Sequence, residues 1–107
     1  MSKLTINELV QRIKQRAAAS PEESYTRKLL NKGIVHCAKK LGEEGVETAL
    51  AAVGEDRERL IAETADLFYH LLVVLQARGV TLAEVEAALG ARVSQSGLDE
   101  KAARKGG

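Results

Sequence analysis

Two acidic pairs carry the chemistry available to this 107-residue chain: Glu44 with Glu47 in the run Glu43-Glu44-Gly45-Val46-Glu47, and Glu63 with Asp66 in Glu63-Thr64-Ala65-Asp66. At roughly 100° per residue, positions i and i+3 of a helix share a face, so each pair makes a fork of carboxylates on a helical segment. Four converging acids repel one another. Oxygen-only ligation by Asp and Glu suits a hard divalent cation, Mg²⁺ or Mn²⁺ in its place, which keeps waters and accepts phosphate oxygens. The same acids would also be satisfied as salt bridges to Lys39, Lys40, Arg57 or Arg59 on solvated faces, and spacing alone leaves both readings open. Glu43, beside the first pair but turned elsewhere on the helix, is a supporting group, a water-activating base or a surface residue.

Helices must position these acids. Thr5 to Glu8 has the pattern of a capping box opening a first helix to about Ala18, with Leu4, Leu9, Val10 and Ile13 on one side. Ser20-Pro21-Glu22-Glu23 places an N-cap serine, a first-turn proline and a glutamate three after the cap, which predicts a second short helix ended by Gly33. A long helix is expected from about Ile34 to Val53, ended by Gly54, and another from the cap Asp56 to about Arg78 and Gly79. Thr81 to Glu84 opens a last helix to about Ala91 or Val93, and residues 94–107 are expected to be a loop or a mobile basic tail.

The short turn makes the two long helices antiparallel neighbours. Glu47 lies seven residues before Gly54 and Glu63 seven after Asp56, while Glu44 and Asp66 are each ten away. The pairs should therefore stand level, Glu47 opposite Glu63 and Glu44 opposite Asp66. The stretch from Ala65 to Ala77 is apolar almost all round, which predicts burial on several sides and makes Asp66 an acid in need of a counter-charge. His70, one turn beyond Asp66, is expected to be a hydrogen-bonded core histidine.

Composition bounds the class. Apolar residues reach 45% with aromatics at only 3%, which favours helices packed on helices, an all-α bundle built around the long antiparallel pair in a single domain spanning 1–107. A formal charge of +1, with no basic run interleaved with aromatics, argues against nucleic-acid binding. The lone cysteine, Cys37, excludes an internal disulfide and is expected in the core, and with no signal peptide or apolar run of transmembrane length expected, the chain is placed in the cytoplasm without a membrane partner. So short a chain buries only part of its surface when it folds alone, and a partner subunit would help.

Beyond these patterns, Ser20-Pro21-Glu22-Glu23-Ser24-Tyr25-Thr26, Lys28-Leu29-Leu30, Lys32-Gly33, Cys37-Ala38-Lys39-Lys40, the acids Glu43, Glu44, Glu47 and Glu63, Ala65-Asp66-Leu67, Tyr69-His70-Leu71-Leu72, Ala77-Arg78-Gly79-Val80, and Ser96-Gly97-Leu98 with Glu100-Lys101-Ala102 and Arg104-Lys105 resemble the phosphoribosyl-ATP pyrophosphatase family of histidine biosynthesis. The acidic core is shared with the wider MazG-like all-α nucleotide pyrophosphohydrolases. Leu41 and Gly45 depart from that pattern, where phenylalanine and alanine are common.

The resemblance implies Mg²⁺-dependent hydrolysis of phosphoribosyl-ATP to phosphoribosyl-AMP and pyrophosphate, with Glu44, Glu47, Glu63 and Asp66 holding the metal and Glu43, Glu44 and Glu47 catalytic. Substrate binding falls to Tyr25, Lys28, Lys32, Lys40, Lys101, Arg104 and Lys105. It also implies a homodimer, in which Leu67, Leu71, Val74 and Leu75 would pack across the interface, and a functional link to a phosphoribosyl-AMP cyclohydrolase, whose zinc site one cysteine and two histidines do not provide. The competing functions are a house-cleaning nucleoside triphosphate pyrophosphohydrolase using the same acids, and a non-catalytic helical interaction module.

Overall fold

The computed structural model describes residues 3–54 and 56–106, with side chains described through residue 94. Five helices form in chain order, α1 (Ile6–Ala17), α2 (Tyr25–Asn31), α3 (Ile34–Val53), α4 (Arg57–Ala77) and α5 (Leu82–Gly106), with no strand among the described residues. The all-α expectation holds.

Local chemistry explains most boundaries. Thr5 and Glu8 make the expected reciprocal capping box, each accepting the other's backbone N–H at 3.1 Å. Asp56 accepts the Arg59 N–H at 3.1 Å to open α4, and Thr81 pairs reciprocally with Glu84 before α5. At the end of α4, Gly79 has φ +67°, and the N–H groups of Val80 and Gly79 donate back to Leu75 and Gln76. This double return bond satisfies the last carbonyls and needs a left-handed residue at that step.

Two predicted boundaries are corrected. Ser20 does not cap α2; Ser20 to Glu23 closes a turn through a 3.0 Å bond from the Glu23 N–H to the Ser20 carbonyl, and Ser24 is the cap, accepting the Arg27 N–H at 3.1 Å. Proline at the second place of a turn is as well suited as at the first place of a helix, so the same residues fit either start. Nor does the last helix stop at Ala91 or Val93, because α5 continues to Gly106 and residues 94–106 are helical. Ser94 does not break it: its hydroxyl donates 3.1 Å back to the Gly90 carbonyl, satisfied along the helix, and the segment contains no proline.

Helix α3 packs most extensively on α4, α1 packs on α2 and α4, and α2 bridges α3 and α4, whereas α5 packs extensively on none of them. The core is Ile13, Leu29, Cys37, Leu72 and Val73, drawn from four helices, with Val74 and Leu75 packed against it. Cys37 is a core residue as expected, its thiol donating to the Leu29 carbonyl at 3.2 Å and pushed up in pKa by burial. This core sits at one end of the α3–α4 pair. The turn-side half stands out as an arm with Val46, Leu50, Val53 and Ile61 exposed, and Phe68 and Leu71 are also exposed farther along α4.

Two further expectations change accordingly. Helix α4 is uncovered along part of its length rather than buried on several sides, and by length and composition it is apolar enough to cross a membrane, contrary to the sequence expectation. Its packing against α1, α2 and α3 instead makes it the bundle's central helix. Of the four leucine and valine positions expected to face a partner, Val74 and Leu75 pack against the chain's own core, leaving Leu67 half-buried and Leu71 exposed.

Truncating Leu29, 2% exposed at the centre of the core, to alanine is expected to cost about 2–5 kcal/mol, while Leu89→Ala on exposed α5 changes stability by less than about 0.5 kcal/mol. Urea unfolding of the two variants beside the parent checks the contrast.

Candidate active site

Helices α3 and α4 bring Glu44, Glu63 and Asp66 together, each offering a carboxylate oxygen within 4.8 Å of the others, a group that could hold a metal ion. The register that achieves this is pinned by Thr48, whose hydroxyl sits 2.7 Å from the Glu44 carbonyl on its own helix and 3.1 Å from the Glu63 carbonyl on the other. One proton shared between carbonyls of both helices holds Glu44 level with the α4 acids. Sequence reasoning passed over Thr48, although a threonine flanked by the two acidic pairs was the available signal.

Glu44 and Glu63 are the buried members. Their side chains are 12% and 18% exposed, and one oxygen of each, Oε2 in both cases, is sealed from solvent with no hydrogen-bond partner among the described residues. Burial raises the Glu44 carboxyl above its ordinary value, with the charges of Glu47, Asp66 and Glu63 adding to the rise and Lys40 opposing it. Glu63 is raised first by burial, then by Glu47 through a side-chain hydrogen bond and its charge, and by Asp66, with Arg59 opposing. An orphaned buried carboxylate oxygen is costly, and two of them beside a third acid form an oxygen-rich donor set that a hard cation satisfies.

The remaining predicted residues fall into place unevenly. Asp66 is at the cluster but exposed in this chain, so the burial expected of it belongs to Glu44 and Glu63 instead. Glu47 is exposed and acts on both buried acids without joining the three-acid group. Glu43 also lies outside that group; its Oε2 pairs with Lys40 Nζ at 3.5 Å. The salt-bridge alternative is thus partly realised, in Lys40 with Glu43 and Arg59 with Glu63 at 4.0 Å, yet neither pair reaches the two bare oxygens.

His70 is a buried core histidine as expected, but it faces Glu44, with Nε2 3.9 Å from Oε1, rather than bonding Asp66. Burial first, then Lys40, lowers its pKa, against the raising charges of Asp66 and Glu43. Gly45 leaves open space where a Cβ would stand, so no close approach to a described neighbour requires it.

Four predicted substrate residues, Tyr25, Lys28, Lys32 and Lys40, line one cavity between α2 and the start of α3, together with Asn31 and His36, which sequence reasoning did not assign to it. Periodicity offered a signal for His36, since it precedes Lys40 and Glu44 by one and two turns of the same helix. Lys101, Arg104 and Lys105 stand on the far part of α5, and their side chains lie outside the described residues.

Because Glu44 has a folded-state pKa above its ordinary 4.5, the folded protein binds more protons than the unfolded chain above that pH, and stability falls as the carboxyl ionises. Without divalent cations, Glu44→Gln is expected to raise the Tm by roughly a few degrees at pH 7.5. The difference from the parent should shrink toward pH 4.5, and a divalent cation should raise the parent's Tm more than the variant's. Thermal melts across pH with and without chelator check this; a Glu44→Gln protein less stable than the parent at pH 7.5 would show the carboxylate to be well satisfied by the protein alone.

Comparison with known proteins identifies the family. The family described as Phosphoribosyl-ATP pyrophosphohydrolase matches residues 6–93. Phosphoribosyl-ATP pyrophosphatase 1 of Bradyrhizobium diazoefficiens is 65% identical over 105 residues, covering 98% of this chain and 99% of the relative. The pyrophosphatases of Nitrobacter winogradskyi and Rhodopseudomonas palustris are 60% and 57% identical, covering 97% and 98% of this chain and 90% and 98% of their own lengths. With four helices of the bundle and all five acids inside the matched span, the chain belongs to the phosphoribosyl-ATP pyrophosphohydrolase family of enzymes.

Proposed function

We propose that this enzyme hydrolyses the α–β phosphoanhydride of phosphoribosyl-ATP, giving phosphoribosyl-AMP and pyrophosphate in the second step of histidine biosynthesis, as a single cytosolic domain. The observation that carries the proposal is the junction of two opposite charge environments at Lys40. That lysine lines the basic cavity and is paired with Glu43, whose neighbour Glu44 belongs to the acid cluster. A polyanion and its counter-ion would find partners side by side.

Glu44, Glu63 and Asp66 would hold Mg²⁺, or Mn²⁺ in its place, with Glu47 completing the set; when bound, the ion supplies charge neutralisation to the triphosphate and acidity to a water. Glu47, which is exposed and acts on Glu63, would accept a proton as water adds to phosphorus and the anhydride oxygen departs with pyrophosphate. Glu43 holds Lys40 in position by their ion pair, and Lys40 faces a phosphate oxygen. Tyr25, Lys28 and Lys32 bind the rest of the substrate, and Lys101, Arg104 and Lys105 add cationic groups from α5. The product is then one that a separate ring-opening cyclohydrolase consumes.

The enzyme works as a homodimer in this proposal, because the exposed apolar surface of Val46, Leu50, Val53, Ile61, Phe68 and Leu71 is extensive for an 11.5 kDa chain. Sedimentation is expected to return twice that mass, and a stable monomer at micromolar concentration would overturn this part.

The central test is pyrophosphate release from phosphoribosyl-ATP. Release should require Mg²⁺, be far slower from ATP, and fall about 100-fold or more in Glu47→Gln. Equal release from ATP would identify a general nucleoside triphosphate pyrophosphohydrolase instead, and no release from either substrate would leave a helical binding module.

A further inference from the structure

The cavity between α2 and the first turns of α3 has a volume of about 460 Å³ and is lined by Tyr25, Lys28, Asn31, Lys32, His36 and Lys40, with no carboxylate of the described residues on its walls. Lys28 and Lys32 stand one turn apart on α2 and form no ion pair among the described residues, whereas Lys40 is tied to Glu43. Two exposed ammonium groups one turn apart at the end of a helix repel each other mildly, and an anion bound between them relieves that repulsion. Helix α3 adds to this: its N-cap Gly33 provides no side-chain cap and its first turn contains no acid, so the positive end of a 20-residue helix is left uncompensated where His36 enters the cavity.

Tyr25 supplies a different kind of wall. Its ring stacks on Tyr69 at 6.4 Å between centroids and 20° between planes, and the Tyr69 hydroxyl is held 2.6 Å from that of Thr26. The Tyr25 ring is therefore oriented from behind yet 57% exposed, which leaves a face for a base or a sugar.

Along α3, His36, Lys40 and Glu44 follow one another at single-turn intervals, so about 12 Å of helix axis separates the cavity's histidine from the acid cluster. The substrate proposed above carries two phosphate groups at opposite ends, a triphosphate and a ribose 5-phosphate, joined through one nucleoside. We propose that the α2–α3 cavity is the subsite for the phosphomonoester end, held by Lys28, Lys32 and His36 with Tyr25 against the intervening sugar or base, and that this subsite distinguishes the substrate from ordinary nucleoside triphosphates. The assignment rests on the reaction proposed above and names which end of the substrate lies where; an enzyme for unmodified triphosphates would need only the acidic end.

The probe is ribose 5-phosphate, with ribose as the control, titrated into metal-free protein while the His36 imidazole signals are followed by NMR. Ribose 5-phosphate should shift His36 and saturate, ribose should not, and the Lys28→Ala/Lys32→Ala variant should lose the response. In steady-state kinetics, Lys32→Ala and His36→Asn should each raise the KM for phosphoribosyl-ATP about tenfold with kcat much less affected, and should lower the preference for phosphoribosyl-ATP over ATP by a similar factor. Lys32→Arg should retain most of that preference. An unchanged preference in both Lys32→Ala and His36→Asn, or a ribose 5-phosphate response that survives loss of both lysines, overturns the subsite. If the parent turns over no phosphoribosyl-ATP, the proposed reaction fails, and the phosphomonoester subsite then stands or falls on the NMR titration alone.

Discussion

Two carboxylate oxygens sealed between α3 and α4, without a partner among the described residues, are the constraint on which the rest of this structure depends. Packing two long helices along an apolar seam is easy, but placing Glu44 and Glu63 inside that seam raises the free energy of the assembled pair as long as both are charged. The surrounding groups soften this cost without removing it. Lys40 and Arg59 bring opposite charge near the two acids, while His70, buried and held toward neutrality, adds no full counter-charge. The seam is thus tolerable as a protein interior and better satisfied with a cation in it.

The location of the core follows the same logic. Helices α1 and α2 cover α3 and α4 at one end only, where Ile13, Leu29, Cys37, Leu72 and Val73 interlock. The acids lie at the edge of this covered region, close enough to packed side chains for desolvation to act on Glu44 and Glu63, and open enough for Asp66 and Glu47 to remain exposed. A cluster deeper in the core would be closed to any substrate; one farther out on the arm would lose the low-dielectric surroundings that strengthen charge interactions.

Much of this was legible in the residues. Turn and cap chemistry at Thr5, Gly54, Asp56, Gly79 and Thr81 places three helices and the hairpin to within a residue or so, because each signal has one local use. The level of the acids follows from counting outward from the hairpin turn. What could not be read was rotation and cover. Asp66 sits in the most apolar sequence and was expected to be buried, but which side of α4 receives α1 and α2 is decided by the whole bundle, and Asp66 is on the open side. Ser20 and Ser24 both have the chemistry of a cap, and only the turn closed by Glu23 decides between them. The serine- and glycine-rich end reads as a loop by composition, yet alanine, arginine and lysine among those residues favour helix and no proline opposes it.

Helix α3 is an uninterrupted rod from Ile34 to Val53, carrying both the histidine of the basic cavity and the first of the acids. That continuity makes it intolerant of changes in length. Inserting or deleting a single residue between His36 and Glu44 would turn one group about 100° relative to the other and move it about 1.5 Å along the axis, so both could not face their present neighbours. Within α3, the eight steps from His36 to Glu44 can therefore change only in residue type.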